Sequence, residues 1–148
     1  MRTIAIFLIF LFYPFLFWSQ DIKTTLQSRS WYSDLTLVGN RDQTIIITDS
    51  ITKPTDYEIK FLVNNDFYFA FINNDNMFDE NGNIIPPGTK NEFDKFQYSI
   101  KNNTIKIFYK PKYLNPTQAG DGAYYYQISA LTNDSTIEFK PIKKSDFR

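Results

Sequence analysis

The chain contains no histidine and no cysteine among its 148 residues. Without histidine, a Ser-His-Asp or Cys-His catalytic arrangement and an imidazole metal site are excluded. Without cysteine, disulfides, zinc–thiolate sites, iron–sulfur clusters and thiol nucleophiles are excluded. The 16 basic and 16 acidic residues balance, so the sequence lacks the net basic charge typical of nucleic-acid-binding proteins. We therefore expect a non-enzymatic protein with no cofactor and no nucleic-acid partner.

Residues 1–19 have the layout of a secretory signal peptide. Arg2 supplies a positive start, an uncharged apolar run of 15 residues follows, and Ser19 is a small residue where a signal peptidase would cut. The run is shorter than the roughly 20 residues that span a bilayer, and Pro14 interrupts it. An uncleaved membrane anchor is the alternative. We expect residues 20–148 to form the mature domain, a periplasmic or secreted monomer with no membrane span after cleavage.

The mature part alternates apolar and polar residues at a period of two, as β-strands with one buried face do. Ahead of the first strand, residues 22–27 fit one turn of helix. Eight strands with short links favour an all-β antiparallel meander, and closing it into a barrel of about eight strands removes its exposed edges. A β-sandwich is the alternative, because the same alternation fits both folds. The eight runs are 31–37, 44–48, 57–63, 67–72, 95–101, 104–110, 124–131 and 136–140.

The links between the predicted strands differ in length in a regular way. The first, third, fifth and seventh are short, whereas the second, fourth and sixth, at 49–56, 73–94 and 111–123, are longer. Because alternate links of an up-and-down meander lie at opposite rims, we expect one rim to carry most of the loop residues. Long loops on a rigid scaffold are where binding surfaces usually lie. This rim is therefore a candidate surface for a protein partner.

Two segments of the chain resemble the small bacterial lipocalin-like proteins. One is Leu26–Trp31, with the sequence LQSRSW, and the other runs from Tyr126 to Phe139 at the end of the meander. The resemblance implies a calycin-type barrel with an apolar interior and with Trp31 packed across one end. Arg29 stands where that family usually has Gly. The family also places its larger loops, including the link after the Trp-bearing strand, at the opposite rim. Either the strand count differs by one, or the family's ligand pocket does not carry over.

The aromatic residues at inward-facing positions predict either a filled core or a lined cavity. Side chains alone can fill an eight-stranded barrel. A cavity would bind a small apolar ligand, with tyrosine hydroxyls supplying hydrogen bonds. The first hypothesis is therefore a lipocalin-like binding protein for a small apolar ligand. The second is a protein-interaction module, such as an inhibitor or an envelope accessory factor, that uses the long-loop rim. The candidate ligand-binding residues, near the middle of their strands, are Phe69, Phe71, Tyr98 and Tyr126.

The polar loop 73–83 is a weak candidate for a calcium site. Calcium binds carboxylate and amide oxygens, which Asp75, Asp79 and Asn81 could contribute. The segment Glu80–Asn83, with the sequence ENGN, is at the same time a strong hairpin-turn signal. We favour the turn and expect no metal.

Overall fold

The structure, a computed structural model, describes five stretches of the chain: residues 22–53, 56–79, 81–114, 122–132 and 135–148. The signal-peptide prediction for residues 1–19 lies outside them. Residues 22–27 are α-helical, as expected, and two short 3-10 turns form at Pro111–Tyr113 and Lys144–Asp146. Within these stretches no helix is both long and apolar enough to cross a membrane.

Eight strands close into a single antiparallel barrel, and two further strands pair with each other in a hairpin. Each of the eight predicted runs contributes one barrel strand, which confirms the predicted fold class. The strands are β1 (Trp31–Ser33), β2 (Ile45–Thr48), β3 (Tyr57–Phe61), β4 (Asp66–Ile72), β5 (Met77–Phe78), β6 (Ile84–Ile85), β7 (Lys90–Lys101), β8 (Thr104–Tyr109), β9 (Tyr124–Thr132) and β10 (Thr136–Pro141).

Strand order around the barrel follows chain order except at one place. β1 lies between β2 and β3, and β2 pairs on its other side with β10. Because all neighbours are antiparallel, β1, β4, β8 and β10 run in one direction and β2, β3, β7 and β9 in the other. The link 49–56 therefore begins at one rim and ends at the opposite rim.

Because link 49–56 crosses from one rim to the other, link 34–44, which follows the Trp-bearing strand β1, lies at the same rim as the long loops. Links 34–44, 73–89 and 110–123 begin and end at that rim, which we call the long-loop rim. The predicted strand count is right. The expectation that the first link is short and lies at the other rim is wrong, because that expectation assumed a strictly sequential strand order.

β1 ends at Ser33 although the alternation predicts a strand up to residue 37. The Ser33 hydroxyl accepts a hydrogen bond from the Leu35 amide at 3.2 Å, and the Thr36 hydroxyl accepts one from the Val38 amide at 3.2 Å. Such local side-chain bonds favour turns over a strand ladder. The alternation nevertheless predicts correctly that Leu37 is buried, although Leu37 lies in the link and not in a strand.

The opposite rim, which we call the helix rim, is closed by segment 22–27. Ile22 and Leu26 lie about one helical turn apart and both are buried in the core. Trp31 is fully buried, and its indole Nε1 donates a hydrogen bond to the Leu26 carbonyl oxygen at 3.0 Å. The predicted burial of Trp31 is confirmed. The described short links at this rim are 62–65 and 102–103.

β7 starts before its predicted first residue and contains a bulge. Phe67 of β4 pairs with Phe96, whereas Phe69 pairs with Phe93, so β7 has one extra residue between the two pairs. The bulge shifts the alternation by one position. Phe93 therefore packs against the same core as Phe96, although the sequence pattern did not include it.

Replacing Trp31 with Ala should reduce the free energy of unfolding by about 3–5 kcal/mol, the usual cost of a void this large. That loss is a large share of the roughly 5–15 kcal/mol typical of a folded domain. Urea denaturation followed by circular dichroism would measure it. Trp31→Phe keeps most of the apolar volume and should lose much less. A loss below about 1 kcal/mol for the alanine variant would contradict the burial of this side chain.

Candidate functional site

The four residues predicted to line a ligand cavity belong to one continuous aromatic cluster inside the barrel. Phe69, Tyr98 and Tyr126 are buried and Phe71 is half-buried. Further rings connect them with centroid separations between 4.7 and 6.3 Å. Phe69, Tyr98 and Tyr126 therefore face the interior, where they pack against other rings, and Phe71 contacts the rings of Tyr57 and Phe93. The connecting rings are Phe61, Phe67, Phe93, Phe139 and Tyr57.

The two tyrosine hydroxyls bond to main-chain carbonyls at opposite ends of the barrel. The Tyr98 hydroxyl donates to the Leu62 carbonyl at 3.1 Å and accepts from Gln27 Nε2 at 2.6 Å, which fastens the helix rim. The Tyr126 hydroxyl donates to the Leu37 carbonyl at 2.9 Å, which fastens the long-loop rim. Burial raises the pKa of both phenols. These hydroxyls, which were expected to face a ligand, hold the two end closures in place.

Half-buried aromatic side chains mark the end of the cluster at the long-loop rim. Tyr57 begins β3, Phe71 lies near the end of β4 and Phe93 lies near the start of β7, and all three positions are at this rim. The Phe71 ring centroid lies 5.5 Å from that of Tyr57 and 5.9 Å from that of Phe93. Of the four predicted ligand-binding residues, Phe71 is thus the one that lies at this rim and is partly exposed.

The hairpin β5–β6 presents apolar side chains to solvent at the same rim. Phe78 is 67% exposed and Ile84 63% exposed, and they face each other as a cross-strand pair. Met77 and Ile72, at the base of the hairpin, are also exposed. Large apolar side chains that cluster on a protruding element mark an interaction surface more often than scattered ones do.

Asn73 joins this hairpin to the barrel. Its side chain is buried and its Nδ2 donates to the carbonyl oxygens of Asp75 at 2.9 Å and Pro86 at 2.8 Å, one on each arm of the loop. Its Oδ1 accepts a hydrogen bond from Asn91 Nδ2 of β7 at 3.3 Å. The sequence analysis missed this residue, because an asparagine in a polar loop carries no signal that it is buried.

The Asp79 carboxylate stabilises the turn of the hairpin. It accepts hydrogen bonds from the amides of Asn81 and Asn83 and from Asn83 Nδ2, each at 2.8 Å. The bonds from Asn83 lower the pKa of Asp79. The predicted turn is thus observed in its described residues, and the Asp79 carboxylate, one of the groups considered for calcium, bonds within it. Among the residues that the structure describes, no three acidic, His or Cys side chains are grouped as a metal site.

Glu58 is the centre of a charge network on the outer face of β3, β4 and β7. Its carboxylate contacts Lys60 Nζ at 2.8 Å and Lys90 Nζ at 2.9 Å, and accepts a hydrogen bond from the Ser30 hydroxyl at 3.1 Å. Burial by itself would raise the pKa of Glu58, but these three donors outweigh it and lower the pKa to about 2. A carboxyl with this pKa stays ionised and is no candidate for general acid catalysis.

Comparisons of the chain with known proteins do not assign a family. No protein-family model, no curated protein and no solved structure matches it. The closed eight-stranded antiparallel barrel is compatible with a lipocalin-like fold.

Glu58→Gln should destabilise the protein in a pH-dependent way. Because the pKa of Glu58 in the folded protein is about 2, below the usual 4.5, its stabilisation is complete above pH 4.5 and is lost as the pH falls toward 2. We expect the variant to lose about 1–2 kcal/mol at neutral pH, after allowance for solvent screening of the exposed lysines. The two proteins should converge in stability near pH 2. Equal losses at pH 7 and pH 2 in urea titrations would contradict the network.

Asn73→Ala should loosen the hairpin while the barrel stays folded, because the barrel strands keep their own pairing. The amide protons of Asp79 and Gly82, which are bonded within the hairpin turn, should exchange with solvent at least about tenfold faster. The Tyr98 amide, in β7, should keep its rate. Asn74→Ala, at the exposed neighbouring position, is the matched control and should leave all three rates unchanged. Faster exchange of Tyr98 as well would show that Asn73 supports the whole barrel.

Proposed function

We propose that the protein is an exported, non-enzymatic, lipocalin-like binding protein that docks a protein partner with its long-loop rim. The observation that carries this proposal is the apolar hairpin β5–β6. Its large side chains are exposed to solvent, and the buried Asn73 side chain bonds to both arms of its loop. Inward rings that pack against one another beneath an apolar loop rim favour a protein-interaction module over a carrier. Five carboxyl groups have their pKa lowered, so these five stay ionised at neutral pH and are unsuited to general acid catalysis.

Phe78 and Ile84 are the expected contact residues. Each remains more than 60% exposed in the free protein. Complete burial of a side chain of this size contributes about 1.5–3 kcal/mol. The two residues form a cross-strand pair, so a single apolar pocket on a partner would accommodate both.

The hairpin is also held in one conformation before it binds. Asn73 fastens both of its arms to the barrel, and Asp79 bonds the turn internally. A loop that is already ordered loses less conformational entropy on binding, and the affinity is correspondingly higher. A small hairpin with two exposed apolar side chains can therefore serve as a specific anchor.

Charge indicates what surrounds the pocket on the partner. Segment 73–89 contains three acidic residues and no basic residue. A partner with basic side chains around an apolar pocket would complement it, and electrostatic complementarity of this kind favours specific association. The proposed partner is thus a protein with a basic-rimmed apolar pocket.

A small apolar ligand remains the second candidate because of the half-buried rings of Tyr57, Phe71 and Phe93 at the long-loop rim. A ligand that entered between these rings would lie within the aromatic cluster that includes Phe69. Such a ligand would use the site predicted from the sequence, with the hairpin beside it.

The double variant Phe78→Ser and Ile84→Ser should lose its partner while the barrel remains folded. Immobilised wild-type protein and variants would be exposed to an envelope extract of the source cells, and the retained proteins would be quantified. Loss of two anchor residues typically costs at least about 2 kcal/mol, so retention of the specific partner should fall more than about tenfold. Val63→Ser is the matched control, because Val63 is 81% exposed in a link at the helix rim.

The proposal is overturned if the retained protein is lost equally with Val63→Ser or persists with the double variant. The second candidate has its own readout, the apolar fluorescent probe N-phenyl-1-naphthylamine. Stoichiometric probe binding that is abolished by Phe71→Ala and unaffected by the hairpin variant would establish a small-ligand site instead.

A further inference from the structure

Lys106 lies between two aromatic rings on the outer face of the barrel. Its Nζ is 4.9 Å from the Phe108 ring centroid and 5.9 Å from that of Tyr125, its cross-strand neighbour on β9. Cation–π contacts of this kind hold an ammonium group at a defined place on a surface. The outer face of β8 and β9 thus carries a positioned positive charge.

The C-terminal segment 142–148 packs against this face. The Ile142 amide donates to the Tyr125 carbonyl at 3.0 Å, and the Phe147 ring centroid lies 5.7 Å from the Tyr125 ring centroid. Lys101 Nζ, at the end of β7, lies 5.2 Å from the Phe147 ring centroid. The fold places the Phe147 ring of this segment beside Lys101 and Tyr125.

A groove lies at each end of this surface. The first, about 230 Å³, is lined by Tyr125 and contains Arg41 and Lys144 as its charged residues. The second, about 370 Å³, is lined by Phe108 and contains Lys23 as its charged residue. Lys106 contacts the aromatic ring that borders each groove, and we call the two grooves together with Lys101 and Lys106 the track. Every charged residue that lines the two grooves is cationic.

Lys101 and Lys106 are the two lysines that lie between the grooves. In the described part of the chain, neither Lys101 nor Lys106 forms an ion pair with a carboxylate. The single acidic side chain of segment 142–148 is Asp146, which accepts a hydrogen bond from the Ser145 hydroxyl at 3.1 Å. A ligand that crosses the track would therefore meet an excess of positive charge.

From this arrangement we infer that the outer face of β7, β8 and β9 binds an extended acidic polysaccharide. The carboxylates of such a chain would pair with Lys101 and Lys106, and its uncharged hydroxyls would meet the amide and hydroxyl groups of the second groove. That groove is lined by the polar side chains of Asn64, Gln97 and Ser99. Amides and hydroxyls on a protein surface are suitable partners for sugar hydroxyls. This site is separate from the hairpin and does not depend on it.

The aromatic rings of the track favour a polysaccharide over a single-stranded nucleic acid. Nucleic acids without secondary structure bind by stacking their bases on open aromatic faces. Here the lysine ammonium groups lie over the rings of Phe108 and Phe147. The track therefore offers fixed charges for an acidic chain and few open faces for bases.

An alginate octasaccharide, a chain of uronate sugars, is the probe for this inference. Binding by the full folded protein would be measured by isothermal titration calorimetry at about 50 mM salt, where interactions of charged polymers are strong, and again at about 200 mM. The double variant Lys101→Gln and Lys106→Gln should bind about tenfold more weakly and show a smaller salt dependence. Lys106→Arg, introduced alone, keeps the charge and should retain wild-type affinity.

Lys53→Gln is the matched control, because it removes one exposed positive charge from link 49–56, beside Asp34 after β1 and across the barrel from β8. It should change the affinity for alginate by less than about twofold. The inference is overturned if alginate does not bind at low salt, if Lys53→Gln weakens binding as much as the double variant, or if neutral dextran binds equally well. Tighter binding of a dodecamer of thymidylate than of alginate would also overturn it.

Discussion

Closure of the barrel at β1 is the constraint on which the rest of the structure depends. β1 has only three residues and pairs with β2 through a single residue pair, Tyr32 with Thr48. Hydrogen bonds of so short a strand cannot hold the sheet closed, so burial of Trp31 and its bond to Leu26 carry much of the closure. Arg29 adds an ion pair to Asp49 at 3.1 Å, but both side chains are partly exposed and the pair contributes little.

Once the barrel is closed, its interior and its surface have separate roles. The hydroxyls of Tyr98 and Tyr126 bond to loops and fix the two rims, and the other inward rings pack against one another. Residues that remain available for a partner therefore lie at the long-loop rim and on the outer face. The rim is acidic and apolar in the hairpin, whereas the outer face of β8 is basic and aromatic. Two surfaces with opposite charge would attract different classes of ligand.

Much of the fold could be predicted from the alternation alone, because each barrel strand has one buried face. The exceptions have local causes. β1 ends early because the Ser33 and Thr36 hydroxyls bond to the main chain. The inward position of Phe93 was not predicted, because the bulge in β7 shifts the alternation of inward and outward residues by one position. Of the candidate site, Phe69 and Phe71 were found by their phase in the strand. Asn73 was not, since its role depends on bonds to Pro86 and Asn91, which are distant in sequence.

The sequence by itself determined that this chain forms an all-β antiparallel fold of eight strands with Trp31 in its core, and the closure of these strands into a barrel was decided by the tertiary structure. Local periodicity carries that information, because one face of each strand must leave water. Only the tertiary structure decided that β1 lies between β2 and β3, that the hairpin β5–β6 presents Phe78 to solvent, and that segment 142–148 joins Lys106 on one face. These features depend on contacts between residues far apart in the chain, and no local pattern records which distant segments will meet.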